Sequence, residues 1–282
     1  MLTQGRPTSF TDGHSLGGSA ASPVALFVAT RWELAAVRRA LPVDHRIDIG
    51  GVGCFIGRQA ARSYWLIHTG IGPEAAHAAV SAVLNREPMA LAISVGFAGA
   101  LAPGAAIGDV IVGTSVVSGT FDDGWHESGQ PVLCHEGAAD AARAAAADIG
   151  SKAHRGALVS VATVICRAAE KQRIARLTGA IAVDMESAAL GTAALRRGVP
   201  FAVCRTVSDI VTEDLPLDFN LFLTRSGWMR GITAVVMDPS SLIGLNRLRR
   251  QSRVAADRLT ALCSAYAARG FGLAPATNIG RA

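Results

Sequence analysis

Glu186 and Asp209 are the two side chains of this 282-residue chain best placed to do chemistry together. They bracket the stretch VDMESAALGTAALRRGVPFAVCRTVSD, which runs from Val183 to Asp209. Ser187 to Arg197 reads as a helix of small residues, stopped by Gly198. Val199 to Val207 is an apolar run with the length and β-branched content of a buried strand. Glu186 therefore stands where a helix begins and Asp209 where a strand ends, the end that faces the ligand crevice in open α/β sheets. An acid that holds a sugar diol and a second that protonates a leaving base would support glycosyl transfer. The same two residues also read as a helix-capping Glu and a loop Asp.

The elements that must position them alternate between strand and helix along the chain. Pro23 to Ala29 is a short apolar strand, and Leu34 to Leu41 a helix with Glu33 in its first turn, where the macrodipole favours an acid. Gly50 to Gly57 lacks the GxGxxG spacing and reads as a glycine-rich hairpin. Tyr64 to His68 is a strand leading into Thr69-Gly70-Ile71-Gly72-Pro73-Glu74 and an alanine-rich helix, so the Gly70–Gly72 loop would turn backbone N–H groups toward an anion or sugar. Met89 to Val95 repeats the arrangement, with Gly96 to Ala100 as its glycine segment. Phe121 to Gln130 reads as a surface loop. Helices are expected at Gly137 to Ile149 and Glu170 to Leu177, with a strand at Gly156 to Cys166 between them. This order predicts an α/β fold of a single domain, with helices flanking a central mixed, mostly parallel sheet.

Composition narrows the function classes. The chain is 50% hydrophobic and 17% charged, enough for one large core. Residues 1–22 are polar and rich in Gly, Ser and Thr, without the apolar centre of a secretion signal, and read as a disordered leader. The main domain is expected over 23–224 and an Arg-rich helical extension over 225–282. Five scattered cysteines without a CxxC pair fit a reducing cytoplasm. His126-Glu127 and His135-Glu136 lack ligand spacing, so no metal or other cofactor is expected. The net charge of +5 is matched by the seven Arg and two Asp between Arg225 and Leu262, which leaves the rest near neutral. With no reading motif and no wide basic surface, nucleic acid is not an expected partner.

Three segments together resemble one family. SVGFAGALAP followed by IGDVIV, then AVDMES, then RTVSD occur in the order seen in the purine nucleoside phosphorylase and nucleosidase superfamily. TGIGPEAA, LPLDFN and the Arg-rich C-terminus are most similar to its hopanoid-associated phosphorylase branch. That resemblance implies cleavage of the N-glycosidic bond of a 5′-substituted adenine nucleoside, adenosylhopane first. A soluble methylthioadenosine/S-adenosylhomocysteine nucleosidase is the alternative, and a non-catalytic nucleoside-binding protein the second. It also implies a homo-oligomer acting on a small nucleoside.

The resemblance assigns roles residue by residue. Asp209 would protonate N7 of the base, kept protonated by desolvation from Val207, Ile210 and Val211, with Ser208 steadying it. Glu186 would accept both ribose hydroxyls and balance the cationic sugar. Met185 would pack on the sugar face, unless it is a core methionine. The backbone of Val164 and Ile165 would hold adenine, and Phe219 would lie near the 5′ substituent. Glu33 and Arg205 match the pair that holds water in the nucleosidases. Ser94 and Phe97 stand where the phosphorylases carry an Arg and a Ser for phosphate, a departure that weakens phosphate binding at the usual place. Arg31 or the loop bearing Gly70 and Gly72 offers another phosphate site, so inorganic phosphate stays open as co-substrate.

The segment from Trp228 to Leu262 has the pattern of a basic amphipathic helix. Leu242, Leu245, Leu248, Leu259 and Leu262 fall on one side of the projection, and Arg247, Arg250 and Arg258 on the other. Trp228, Met229, Ile232, Val235, Val236 and Met237 add an apolar group before it. The pattern suits peripheral contact with an anionic inner membrane face by a cytoplasmic protein. It equally suits a helix packed on the α/β core with its basic face in water.

Overall fold

The computed structural model describes residues 22–59, 62–121, 123–217, 219–222 and 240–274. The expected leader before residue 22 and the apolar group from Trp228 to Met237 lie outside these residues.

The chain starts with β1 (Val24–Val28), α1 (Arg31–Ala40), the hairpin strands β2 (His45–Ile49) and β3 (Val52–Gln59), then β4 (Arg62–His68) and α2 (Pro73–Arg86). The centre is β5 (Leu91–Ala100), β6 (Val110–Phe121), β7 (Trp125–Leu133) and α3 (Glu136–Asp148). Next come β8 (Ala153–Ser160), α4 (Ala168–Thr178), β9 (Ala182–Asp184), α5 (Ser187–Leu195) and β10 (Phe201–Asp209). A 3-10 turn at Phe219–Phe222 and the long helix α6 (Ser240–Ala268) complete the described chain, apart from a short turn at Gly270–Gly272.

The strands form one mixed sheet in the order β10-β6-β8-β9-β5-β1-β4-β3-β2, with β7 paired to β6. Because β10 also pairs in parallel with β5, the strands β5, β10, β6, β8 and β9 close on themselves. A closed ring has no open edge there and brings the ends of β5, β9 and β10 to one place. The apolar strand β1 shows how the layers are made. Ala25 and Phe27 enter the core under α2 and α5, while Val24, Leu26 and Val28 enter the core under α1, α3 and α6. Alternation with period two thus sends one apolar run to both faces.

Three sequence expectations are revised. β5 runs straight through Gly96 to Ala100, where a glycine segment after the strand was expected, because β10 and β9 pair with it there. Phe121 to Gln130 is mainly the β6–β7 hairpin and not a surface loop. Its second strand is largely exposed, so no apolar alternation marks it. The strand expected to run to Cys166 stops at Ser160.

For α6 the sequence left two readings open. Leu259 and Leu262 are fully buried, together with Tyr266 and Phe271, in the core that α6 shares with α1, α3 and β10. The apolar stripe faces protein, and Arg247 and Arg250 lie on the exposed side. The side chains of Leu242 and Leu245 lie outside the described residues. Among the described residues, no helix is long and apolar enough to cross a membrane.

Candidate active site

β10 delivers Asp209 through an irregularity. Its parallel register with β5 shifts between Val207 and Asp209, so Asp209 comes opposite Gly99. A bulge at a strand end re-aims the side chain that follows it. Gly99 leaves the space, since a Cβ there would stand 3.0 Å from Asp209 Oδ1. Ser208 Oγ lies 3.0 Å from Asp209 Oδ2 and 3.3 Å from the Ala98 carbonyl. The surroundings of Asp209 differ from the apolar environment expected. The ammonium of Lys171, on α4 and fully buried, forms an ion pair with Oδ1.

Glu186 is the N-cap residue of α5, but its side chain does not cap the helix. Instead Oε1 accepts a 2.8 Å hydrogen bond from the Gly72 amide. The Gly70–Gly72 loop thus directs an N–H at the carboxylate of Glu186. Gly72 has φ of 95°, open to glycine at no steric cost. Burial raises the Glu186 carboxyl to about 7; Arg205 and the Gly72 N–H oppose this, while Asp184 and Glu33 add to it.

Glu33 serves its own helix and more. Thr30 and Glu33 form a capping box, with Glu33 Oε2 accepting from the Thr30 amide at 2.7 Å and the Ala29 amide at 3.0 Å. Oε1 accepts from the Phe97 amide at 2.7 Å and lies 3.7 Å from Arg205 Nη1. This pins α1 to β5 and explains Gly96, where a Cβ would fall 2.1 Å from Glu33 Oε1.

Arg205 is 1% exposed and sits under the site. Its Nη2 lies 2.8 Å from Asp184 Oδ2 and donates to Ser94 Oγ at 2.6 Å and Ser187 Oγ at 2.9 Å. Burial opposes its charge, but Asp184, Glu33 and Glu186 outweigh that and hold the guanidinium above its ordinary value. Ser94 is fully buried in this network, where its hydroxyl also accepts from Ser187 Oγ at 3.0 Å.

One cavity of about 370 Å³ joins these parts. Glu33, Glu186, Ser208, Asp209, Met185, Phe97, Val164, Ile165 and Phe219 all line it, so nine of the expected site residues meet. Arg205 lies beneath it, and Gly70 and Gly72 flank the lining residue Ile71. Arg31 is exposed and does not line it. The backbone N–H and C=O of Val164 are both engaged by the Asn220 carboxamide, at 2.8 and 2.9 Å. Among the described residues, no group of His, Cys, Asp or Glu is arranged to hold a metal ion. His126 pairs with Asp123 at 2.8 Å, and His135 caps α3.

Residues 23–227 match the sequence model of the phosphorylase superfamily. The chain belongs to that superfamily. It is 26% identical over 213 residues to the 5′-methylthioadenosine/S-adenosylhomocysteine nucleosidase of Listeria innocua, covering 71% of this chain and 91% of that protein. A crystal structure of the Neisseria meningitidis nucleosidase of the same name, in complex with methylthio-immucillin-A, superposes with a TM-score of 0.66 at 21% identity, covering 86% and 99% of the two chains. The futalosine hydrolase of Helicobacter pylori superposes at 0.64 with 18% identity, covering 86% and 97%. These two superpositions establish a shared fold.

In this member of the phosphorylase superfamily, sequence reasoning missed Asp184, Lys171, Leu248 and Ser252. Asp184 was visible as the first acid of VDMES but carried no role. Lys171 had one signal: it is one of only two lysines in an arginine-dominated chain. Leu248 and Ser252 reach the cavity from α6, which only long-range packing reveals.

Proposed function

We propose that the protein hydrolyses the N-glycosidic bond of a 5′-substituted adenine nucleoside, as a methylthioadenosine/S-adenosylhomocysteine nucleosidase. The observation that carries this is the meeting of Glu33, Glu186 and Asp209 around one cavity with Arg205 beneath. Loss of a purine passes through a ribosyl cation, so it needs negative charge at the sugar and a proton at the base. Glu186 supplies the first and accepts the ribose hydroxyls, and Asp209 supplies the second at N7. Water adds to C1′ from the Glu33 side as the C1′–N9 bond breaks, and its proton passes to Glu33.

Water is favoured over phosphate by charge. Three carboxyl groups, Glu33, Asp184 and Glu186, act on the single guanidinium of Arg205. A phosphate dianion entering beside Glu33 and Glu186 would meet like charges at short range. Ser94, at the position where the resemblance gives the phosphorylases an Arg for phosphate, carries no charge and bonds Arg205. The relatives support the nucleosidase reading that the sequence ranked second, in place of adenosylhopane.

The test is the mass of the sugar released from 5′-methylthioadenosine in ¹⁸O-water, with and without phosphate. Hydrolysis gives free 5-methylthioribose carrying one ¹⁸O, unaffected by phosphate. A sugar 1-phosphate would overturn the choice of water, and absence of adenine release would overturn the enzyme reading.

A further inference from the structure

Lys171 is a fully buried charge, the fourth residue of α4. All three protons of its ammonium are used. One goes to Asp209 Oδ1, one to the Ile210 carbonyl at 3.2 Å and one to the Glu213 carbonyl at 3.2 Å. Burying an ammonium is costly, and an apolar side chain of similar size would fill this place with less desolvation. The partner it was placed against is the carboxylate that the proposed reaction uses as its acid. The two oxygens of that carboxylate are not equivalent. Oδ1 is fastened to Lys171, while Oδ2 has Ser208 Oγ beside it.

We propose that Lys171 is the positioning residue of the general acid: its ammonium fixes Asp209 through Oδ1 and stabilises the carboxylate left when the proton on Oδ2 passes to the departing base. This rests on the glycosidic reading above. In the step, the Oδ2–H bond breaks, an N–H bond forms on the base, and the electron pair of the C1′–N9 bond goes to the base. Lys171 keeps its three protons throughout. After the base has left, the proton that Glu33 took from the attacking water returns to Oδ2 through solvent, which restores both carboxyl groups. A second cavity, of about 190 Å³, is also lined by Asp209, together with Glu213, Arg247 and Gln251.

The experiment is a double-mutant cycle on adenine release from 5′-methylthioadenosine, read by single-turnover kinetics, with melting curves to establish folding. Lys171→Gln keeps a donor to the carbonyls but removes the charge. It is expected to lower the rate by about 10²-fold, the lower end of what a positioned general acid is worth, with little change in KM. Lys171→Arg, which keeps the charge and so also guards against a fold that needs it, should recover most of the rate. In an Asp209→Asn background, Lys171→Gln should cost almost nothing further. A wild-type rate in Lys171→Gln, an Arg variant no better than Gln, or an equal loss in both backgrounds would each overturn the inference. If Asp209→Asn itself kept the wild-type rate, the reading of the acid would fall and this inference with it. That result is distinct from Asp209 being essential while Lys171 is not.

Discussion

In the proposed reaction Asp209 and Glu186 ask opposite things of their protons. Asp209 must give one up to the base, so Asp209→Asn, which cannot, should bind 5′-methylthioadenosine yet release adenine 10²–10⁴-fold more slowly, the range for a positioned general acid. A rate within a few-fold of wild type would exclude the role. Glu186 must be ionised to balance a cationic sugar, and burial holds its carboxyl at about 7. The expected kcat/KM therefore climbs as pH passes through about 7, and a profile flat from 5.5 to 8.5 would contradict it. The same group leaves a mark on folding. An acid with its folded value raised from 4.5 to about 7 stabilises the fold fully below 4.5, and that contribution is lost as pH rises to about 7. The full swing is about 3 kcal/mol. In Glu186→Gln the stability of the unliganded protein should lose this slope, which denaturant titrations at pH 5 and 8 would detect.

At the scale of elements, the site is a convergence of strand and helix ends on one buried cation. β5 brings Ser94, β8 brings Ser160, β9 ends at Asp184, α5 begins at Ser187 and β10 carries Arg205. Asp184 accepts from Ser160, Ser187 and Arg205 together. Its removal strands a guanidinium that has no water to turn to. Asp184→Ala should destabilise the protein by about 3–5 kcal/mol, the cost of breaking a buried pair from one side. Equilibrium unfolding in urea measures this. A loss under 1 kcal/mol would mean that Glu33 and Glu186 suffice as counter-charge. The β5–β10 pairing is equally specific: Gly96 admits Glu33 and Gly99 admits Asp209. These glycines keep side chains off a strand so that the carboxyl groups of Glu33 and Asp209 can approach its backbone.

For the whole molecule, α6 is the element whose place matters most. It buries Leu259, Leu262 and Tyr266 in one core and lines the cavity with Leu248 and Ser252. A chain ending before Ser240 should therefore lose cooperative unfolding as well as activity, because fully burying each Leu is worth about 1.5–3 kcal/mol and total stability is only about 5–15 kcal/mol. Calorimetry that showed a normal transition in such a truncation would refute the assignment of α6 to the core.

The sequence by itself determined the elements and much of the site. Uninterrupted apolar runs such as Val24–Val28 mark strands buried on both faces, and the alanine-rich segments with bounding glycines mark the helices between them. VDMES and RTVSD placed Glu186 and Asp209 at element ends, and the cavity holds both. What the tertiary structure decided was which groups face these acids across long stretches of chain. Periodicity reports that α6 has an apolar face, not whether lipid or protein covers it. A polar strand such as β7 exists because β6 offers it a partner backbone, a non-local condition that its own residues do not encode. Composition showed one of two lysines at position 171. Only the packing of α4 on the end of β10 put its ammonium against Asp209, because a charge's partner is set by distance in space and not along the chain.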